Sequence, residues 1–277
     1  MPLLKPGPIG VFDSGYGGLT ILSEIRKKLP QYDYIYLGDN SRAPYGSRSF
    51  DVVYEFTRQA VETLFNKGCN LVILACNTAS AKALRTIQQK DLPLINPDKR
   101  VLGIIRPTVE KLDSLTKSRH IGIVGTSGTI QSESYPIEIK KLMPDIVVSG
   151  KACPMWVPLV ENNEFGNEGA DFFIKKDLDA LFEKDPAIDT IILGCTHYPI
   201  LFNSIRKHVS NNVTIVSQGE YVSESLKNYL QRHPEMESYC TKEGHTEYYT
   251  TEASDKFMEN ASIFLKEPIF AERIALD

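Results

Sequence analysis

Two cysteines stand where the chain can do chemistry. Cys76 follows the apolar run VILA and Cys195 follows IILG, and each precedes a polar pair, Asn77–Thr78 and Thr196–His197, before helical sequence begins. A residue between a strand tip and a helix start meets free backbone N–H groups and the positive end of the helix dipole, which favour anions. That environment can stabilise a thiolate and hold a substrate carboxylate. A lone cysteine in an apolar run is ordinarily a small buried hydrophobe, and Cys69, Cys153 and Cys240 keep that reading.

What sets Cys76 and Cys195 apart is that they form a pair. IGVFDSGYGG at 9–18 is echoed by IGIVGTSGTI at 121–130, and VILAC at 72–76 by IILGC at 191–195. Both echoes are spaced by roughly 110 to 120 residues, as two related α/β halves would give. Equivalent thiols in duplicated halves face each other across the cleft between them. Inverting a stereocentre needs a base on one face of a planar carbanion and an acid on the other. With an ordinary pKa of about 8.5, one thiol can serve as the acid while the other is a thiolate.

The elements that position these residues are legible as short apolar runs: 9–12, 34–37, 71–75, 101–105, 120–125, 190–194 and 213–216 read as buried strands. Segments of helical period alternate with them, for instance Val53, Phe56, Ala60 and Leu64, or Ile174, Leu178 and Leu181. The fold class is therefore α/β, with two pseudo-symmetric domains, mainly parallel sheets and the active site in the cleft between them. Such sheets bind ligands beyond the carboxyl ends of their strands. The first domain is placed at 1–98 plus 210–277 and the second at 99–209. No Pro-, Gly- or Ser-rich linker marks the crossings, although KDLPLINPDKR at 90–100 suits the first.

Composition excludes other classes. The chain has 277 residues, 42% of them hydrophobic, and 31 Lys and Arg against 35 Asp and Glu, a formal charge of −4 without basic runs. No nucleic-acid partner is expected. The N-terminus lacks the pattern of a secretory signal, and the longest apolar stretch, Leu71–Cys76, is too short to span a bilayer. A cytoplasmic protein with no membrane association is expected, its five cysteines being free thiols. Gly15, Gly17 and Gly18 lack the Lys–Ser or Lys–Thr of a phosphate loop, so a turn that cradles a carboxylate is the better reading.

Five segments in order, FDSGYGGLT at 12–20, DNSRAPYG at 39–46, ACNTASA at 75–81, CPMWVPLVE at 153–161 and GCTHYP at 194–199, resemble the glutamate racemases of the aspartate/glutamate racemase family. The resemblance implies an enzyme that interconverts L-glutamate and D-glutamate for peptidoglycan synthesis, uses no cofactor, pyridoxal or metal, and forms a homodimer. It implies that Cys195 takes the α-proton from L-glutamate and Cys76 from D-glutamate, with Asp13 and His197 assisting Cys76 and Cys195 respectively and Glu161 in a secondary catalytic role. Asp13, Ser14, Tyr45, Gly46, Asn77, Thr78, Thr196 and His197 would contact the substrate. Taken alone, Asp13 reads as a turn or N-cap carboxylate, His197 as a structural histidine and Glu161 as a solvated chain end. Asp39 stays ambiguous.

Two segments depart from the resemblance. GIIRPTVEKL at 103–112 has Arg106 and Thr108 where many relatives carry an acidic residue and a glycine, and SQGEY at 217–221 replaces an acidic residue and small residues. Three alternatives stay open: an aspartate racemase, disfavoured by His197; a metal site of Cys76, Cys195 and His197, poorly spaced for zinc; and a binding role toward DNA gyrase, implied for some relatives, for which no residue speaks.

Overall fold

The computed structural model describes residues 4–276. Residues 1–3 and Asp277, all assigned above to the first domain, lie outside them. Each apolar run expected as a strand forms one. β1 (Ile9–Asp13), β2 (Tyr34–Gly38), β3 (Leu71–Leu74) and β4 (Arg100–Gly103) lie in one sheet. β5 (His120–Gly125), β6 (Val147–Ala152), β7 (Thr190–Gly194) and β8 (Thr214–Val216) form another, and β9 (Thr246–Thr250) and β10 (Ala271–Arg273) return to the first. Every strand of β1, β2, β3 and β7 is buried throughout, as strands covered on both faces must be.

All pairings are parallel. The orders are β10-β9-β2-β1-β3-β4 and β6-β5-β7-β8. The run β2-β1-β3-β4 therefore matches β6-β5-β7-β8 strand for strand, the structural form of the sequence echo. In each half the order reverses between the first and third strands of the repeat, β1 and β3 or β5 and β7. A crevice opens at such a switch point, and Cys76 and Cys195 stand just beyond β3 and β7.

Strand pairing moves the crossings between halves. Arg100–Gly103 pairs with β3 and Thr214–Val216 with β7, so the chain leaves the first sheet after 103 and the second after 216, a few residues later than the boundaries at 98/99 and 209/210. Both strands are short edge strands with partly exposed residues, which gave a sequence boundary little to hold. The helix Gly219–Arg232 then packs on the first-half helix Gly18–Lys28 and buries Val222, Leu226 and Leu230. Helix Phe50–Asn66 shows the local logic: Ser49 accepts from Val52 N as its N-cap, and Val53, Ala60, Val61 and Leu64 form the buried stripe. Among the described residues no helix is long and apolar enough to cross a membrane.

Candidate active site

The cleft between the halves is lined by Ser14, Tyr45, Gly46, Cys76, Asn77 and Thr78 from the first and by Glu161, Cys195, Thr196 and His197 from the second. Ten of the eleven residues expected at the site thus meet there. The eleventh, Asp13, is fully buried at the end of β1 and reaches the same place through Thr196, whose hydroxyl donates to it across the halves at 3.3 Å. Pro44, Thr126 and Val157 complete the lining and were not singled out in the sequence. Thr126 had a signal: it occupies the place in IGIVGTSG that Ser14 occupies in IGVFDSGY.

Each thiol is set by its local chain. Cys76 is the N-cap of helix Asn77–Lys82, its sulfur accepting from Ala79 N at 3.4 Å and lying 3.5 Å from Ser14 Oγ. Cys195 Sγ lies 3.8 Å from His197 Nδ1, and His197 Nε2 is 3.0 Å from Glu161 Oε1. Both ring nitrogens are therefore engaged, and the ring meets Phe264 edge-on. Asp13 is held by Gly15 N at 2.8 Å.

The surroundings of the two sulfurs are electrostatically unequal. Burial pushes the Cys76 thiol up to about 12, the Asp13 carboxylate adding to the effect and the bonds from Ser14 and Ala79 opposing it. Burial likewise raises Asp13, against the charge of His197 and the bonds from Gly15, Gly18 and Thr196. For His197 burial works downward, but the hydrogen bonds to Cys195 and Glu161 and their charges prevail and bring it up to about 10. At neutral pH the cleft thus holds a neutral thiol at Cys76, and at Cys195 a cationic imidazole that can act as countercharge to a thiolate.

The glycine-rich turn serves close approach between halves. A Cβ on Gly17 would stand 2.3 Å from Thr196 Oγ1 and 2.5 Å from His197 Nδ1. At Gly46 it would stand 2.6 Å from Thr126 Cβ. Glycine lets the two halves close on each other at both places.

Two side chains expected at the substrate point their polar groups elsewhere. The Tyr45 hydroxyl donates to buried Asp39, which also accepts from Arg42 Nε at 2.6 Å and Thr251 Oγ1 at 2.9 Å. Asp39 is thereby an anchor for the loop that carries Tyr45 and Gly46. The Asn77 amide donates to Gln218 Oε1 at 2.6 Å and accepts from the Tyr135 hydroxyl at 2.7 Å. Tyr45 lines the cleft with its hydroxyl committed to Asp39, and Asn77 retains one amide N–H beyond these bonds. Thr78 joins Thr126 and Thr129 in a cluster of hydroxyls.

The two departures from the resemblance turn out to touch. Gln218 Nε2 lies 3.2 Å from Thr108 Oγ1, so an amide at one crossing meets a hydroxyl at the other. Arg106 spends its charge on the surface, paired with Glu110 and Glu138. Cys76, Cys195 and His197 do not form a metal-ligating group, and among the described residues no cluster of three or more His, Cys, Asp or Glu does.

Comparison with known proteins agrees with this architecture. Residues 19–247 match the profile of the Asp/Glu/Hydantoin racemase family. A glutamate racemase of Ruegeria sp. is 38% identical over 274 residues, covering 95% of this chain and 98% of that protein. The crystal structure of a glutamate racemase isoform from Bacillus anthracis superposes with a TM-score of 0.89 at 35% identity, covering 98% of each chain. That of the Francisella tularensis glutamate racemase in complex with D-glutamate gives 0.85 at 32%, again with 98% of each chain covered. With its duplicated parallel sheets and its family match over most of its length, the chain belongs to the Asp/Glu/hydantoin racemases and, among them, to the glutamate racemases, isomerases that act on an amino acid.

Proposed function

We propose that the chain interconverts L- and D-glutamate by a cofactor-independent two-base reaction, Cys195 and Cys76 being the opposed acid and base. The observation that carries this is the pairing of two thiols in one cleft with unequal partners, Cys195 with His197 and Glu161, Cys76 with Asp13 and Ser14. Toward L-glutamate Cys195 acts as the base, beside His197, and Cys76 as the acid. Cys195 takes the α-proton, and Cys76 delivers its own to the opposite face of the planar carbanion. The site then holds the mirror state, Cys76 as thiolate and Cys195 as thiol, which is the state that accepts D-glutamate.

The remaining residues bind and orient. Backbone N–H groups beside Ser14, Gly46, Asn77, Thr78 and Thr196, with the hydroxyls of Ser14, Thr78, Thr126 and Thr196, suit the charged ends of an amino acid. Asp13 and His197 exchange protons with, or orient, the neighbouring thiols, and Glu161 holds His197. The same reading places the enzyme in the cytoplasm, because free catalytic thiols need a reducing compartment, and takes it as a homodimer that supplies D-glutamate to peptidoglycan synthesis. It divides the chain into a first unit up to about residue 103 that resumes at about residue 217, and a second unit between them.

The test is polarimetric. Pyridoxal-free protein is incubated with L-glutamate and, in parallel, with L-aspartate, and rotation is followed by circular dichroism. Loss of the glutamate signal, abolished in both Cys76→Ser and Cys195→Ser, is expected. Turnover of aspartate instead would move the chain to the sister specificity, and full activity in either variant would remove the two-thiol mechanism.

A further inference from the structure

Asn77, the residue after Cys76, belongs to a buried polar network whose side-chain bonds the reaction itself does not use. Gln218, 2% exposed, stands at the second crossing between halves. Its Oε1 accepts from Asn77 Nδ2 at 2.6 Å, and its Nε2 lies 2.8 Å from the Tyr135 hydroxyl and 3.2 Å from Thr108 Oγ1. The Tyr135 hydroxyl donates onward to Asn77 Oδ1 at 2.7 Å, and Thr108 Oγ1 to Ile104 O at 3.1 Å. One N–H of the Gln218 amide goes to Tyr135, the other is shared between Thr108 Oγ1 and Ile104 O, which lies 3.3 Å from Nε2, and each hydroxyl accepts one bond and donates one.

The network spans four segments. Asn77 follows Cys76 in the first half. Tyr135 belongs to the second half, and its ring edge would stand 3.4 Å from a Cβ on Gly194, the residue before Cys195. Ile104 and Thr108 mark the first crossing, Gln218 the second. Tyr135, a neighbour of the end of β7, is thus bonded to Asn77, and Gln218 bonds both while tying the crossings together.

We infer that Gln218 is a positioning residue of the racemization: through Asn77 and Tyr135 it fixes Cys76 relative to Cys195. This rests on the two-thiol reading above. Proton transfer at both faces of one carbon depends on where two sulfurs from different halves stand, and a misplacement of about 1 Å costs about 100-fold in rate. Gln218 is the shared partner of Asn77, Tyr135 and Thr108 in this buried network, and removing it leaves the Asn77 N–H that it accepts without that acceptor and the crossings untied.

The experiment measures kcat and KM in both directions, the primary isotope effect with α-deuterated glutamate, and Tm, for the full chain, Gln218→Met, Tyr135→Phe and the double variant. Gln218→Met is expected to lower kcat by about 10- to 100-fold with KM changed by less than about threefold, and to raise the isotope effect as proton transfer becomes slower. Tyr135→Phe, which loses only a hydroxyl, does the same more weakly and carries the test should Gln218→Met not fold. The double variant is expected to be no slower than the slower single one, the non-additivity of a shared network. A loss confined to Tm or to the active fraction, with kcat and isotope effect of the folded enzyme unchanged, or additive losses in the double variant, overturns the inference. Inactive wild-type protein or active Cys76→Ser would instead remove the two-thiol reading, so the two failures are distinguishable.

Discussion

Replacing Gly17 by alanine adds a single methyl group where the two halves come closest. Gly17 has φ −57° and ψ −36°, a conformation open to any residue, so backbone strain plays no part. In the unfolded chain alanine has less freedom than glycine, which by itself would stabilise the fold by about 0.4–1 kcal/mol. The new Cβ, however, would stand 2.3 Å from Thr196 Oγ1, 2.5 Å from His197 Nδ1 and 2.8 Å from His197 Cε1. To restore ordinary contact these atoms must retreat by roughly 1 Å, and overpacking of this kind costs about 1–3 kcal/mol. Thr196 Oγ1 is the donor to Asp13 and His197 Nδ1 the neighbour of Cys195, so the retreat displaces the supports of both thiols together. The expected result is a folded protein, destabilised by about 1–2 kcal/mol in urea titration, with kcat lower by about 100-fold in both directions. The assay is the circular dichroism rate with Tm recorded on the same sample. A variant at least as stable as wild type, with kcat within about threefold, would refute the claim that this turn sets the closure of the cleft.

The other predictions concern the supports. His197 is raised from 6.5 to about 10 in the folded protein, so its contribution to stability is full below about pH 6.5 and is lost as pH rises through about 10. Urea unfolding between those values should show this alkaline loss in wild type and a flatter profile in His197→Gln. The racemization rate should fall over the same alkaline limb. Asp39→Ala removes the buried acceptor of Tyr45, Arg42 and Thr251 and is expected to cost about 3 kcal/mol of stability, read by urea denaturation. Thr126→Val removes a hydroxyl that bonds Thr78 at 2.9 Å and accepts from Thr129 N as the N-cap of helix Ser127–Gln131, and is expected to raise KM for both enantiomers about tenfold and to cost about 1 kcal/mol of stability.

Much of this was legible in the chain because the informative features are local. A buried parallel strand must be a continuous apolar run, and a cysteine directly after one must sit at a strand tip, so Cys76 and Cys195 could be placed from their neighbours. β6, β9 and β10 escaped because their residues do not form such runs: VVSGKA is a partly exposed edge, TEYYT mixes polar with aromatic residues, and AER is three residues long. Tyr45 and Asn77 were placed at the cleft while the commitments of their side chains were not seen, since Asp39, Tyr135 and Gln218 meet them only through the tertiary fold. Gln218 illustrates the limit most clearly. It joins segments near 77, 104, 108 and 135, and its own stretch of sequence reads only as a departure. Thr126 was within reach, because the internal echo places it opposite Ser14.

The two-base claim is tested most directly by following deuterium in D₂O during the first few per cent of conversion of L-glutamate. If Cys195 removes the α-proton on one face and Cys76 delivers a solvent-derived deuteron on the other, D-glutamate forms fully α-deuterated while the residual L-glutamate keeps its proton. Deuterium appearing in residual L-glutamate as fast as in the product would mean that one group serves both faces, and would contradict the account.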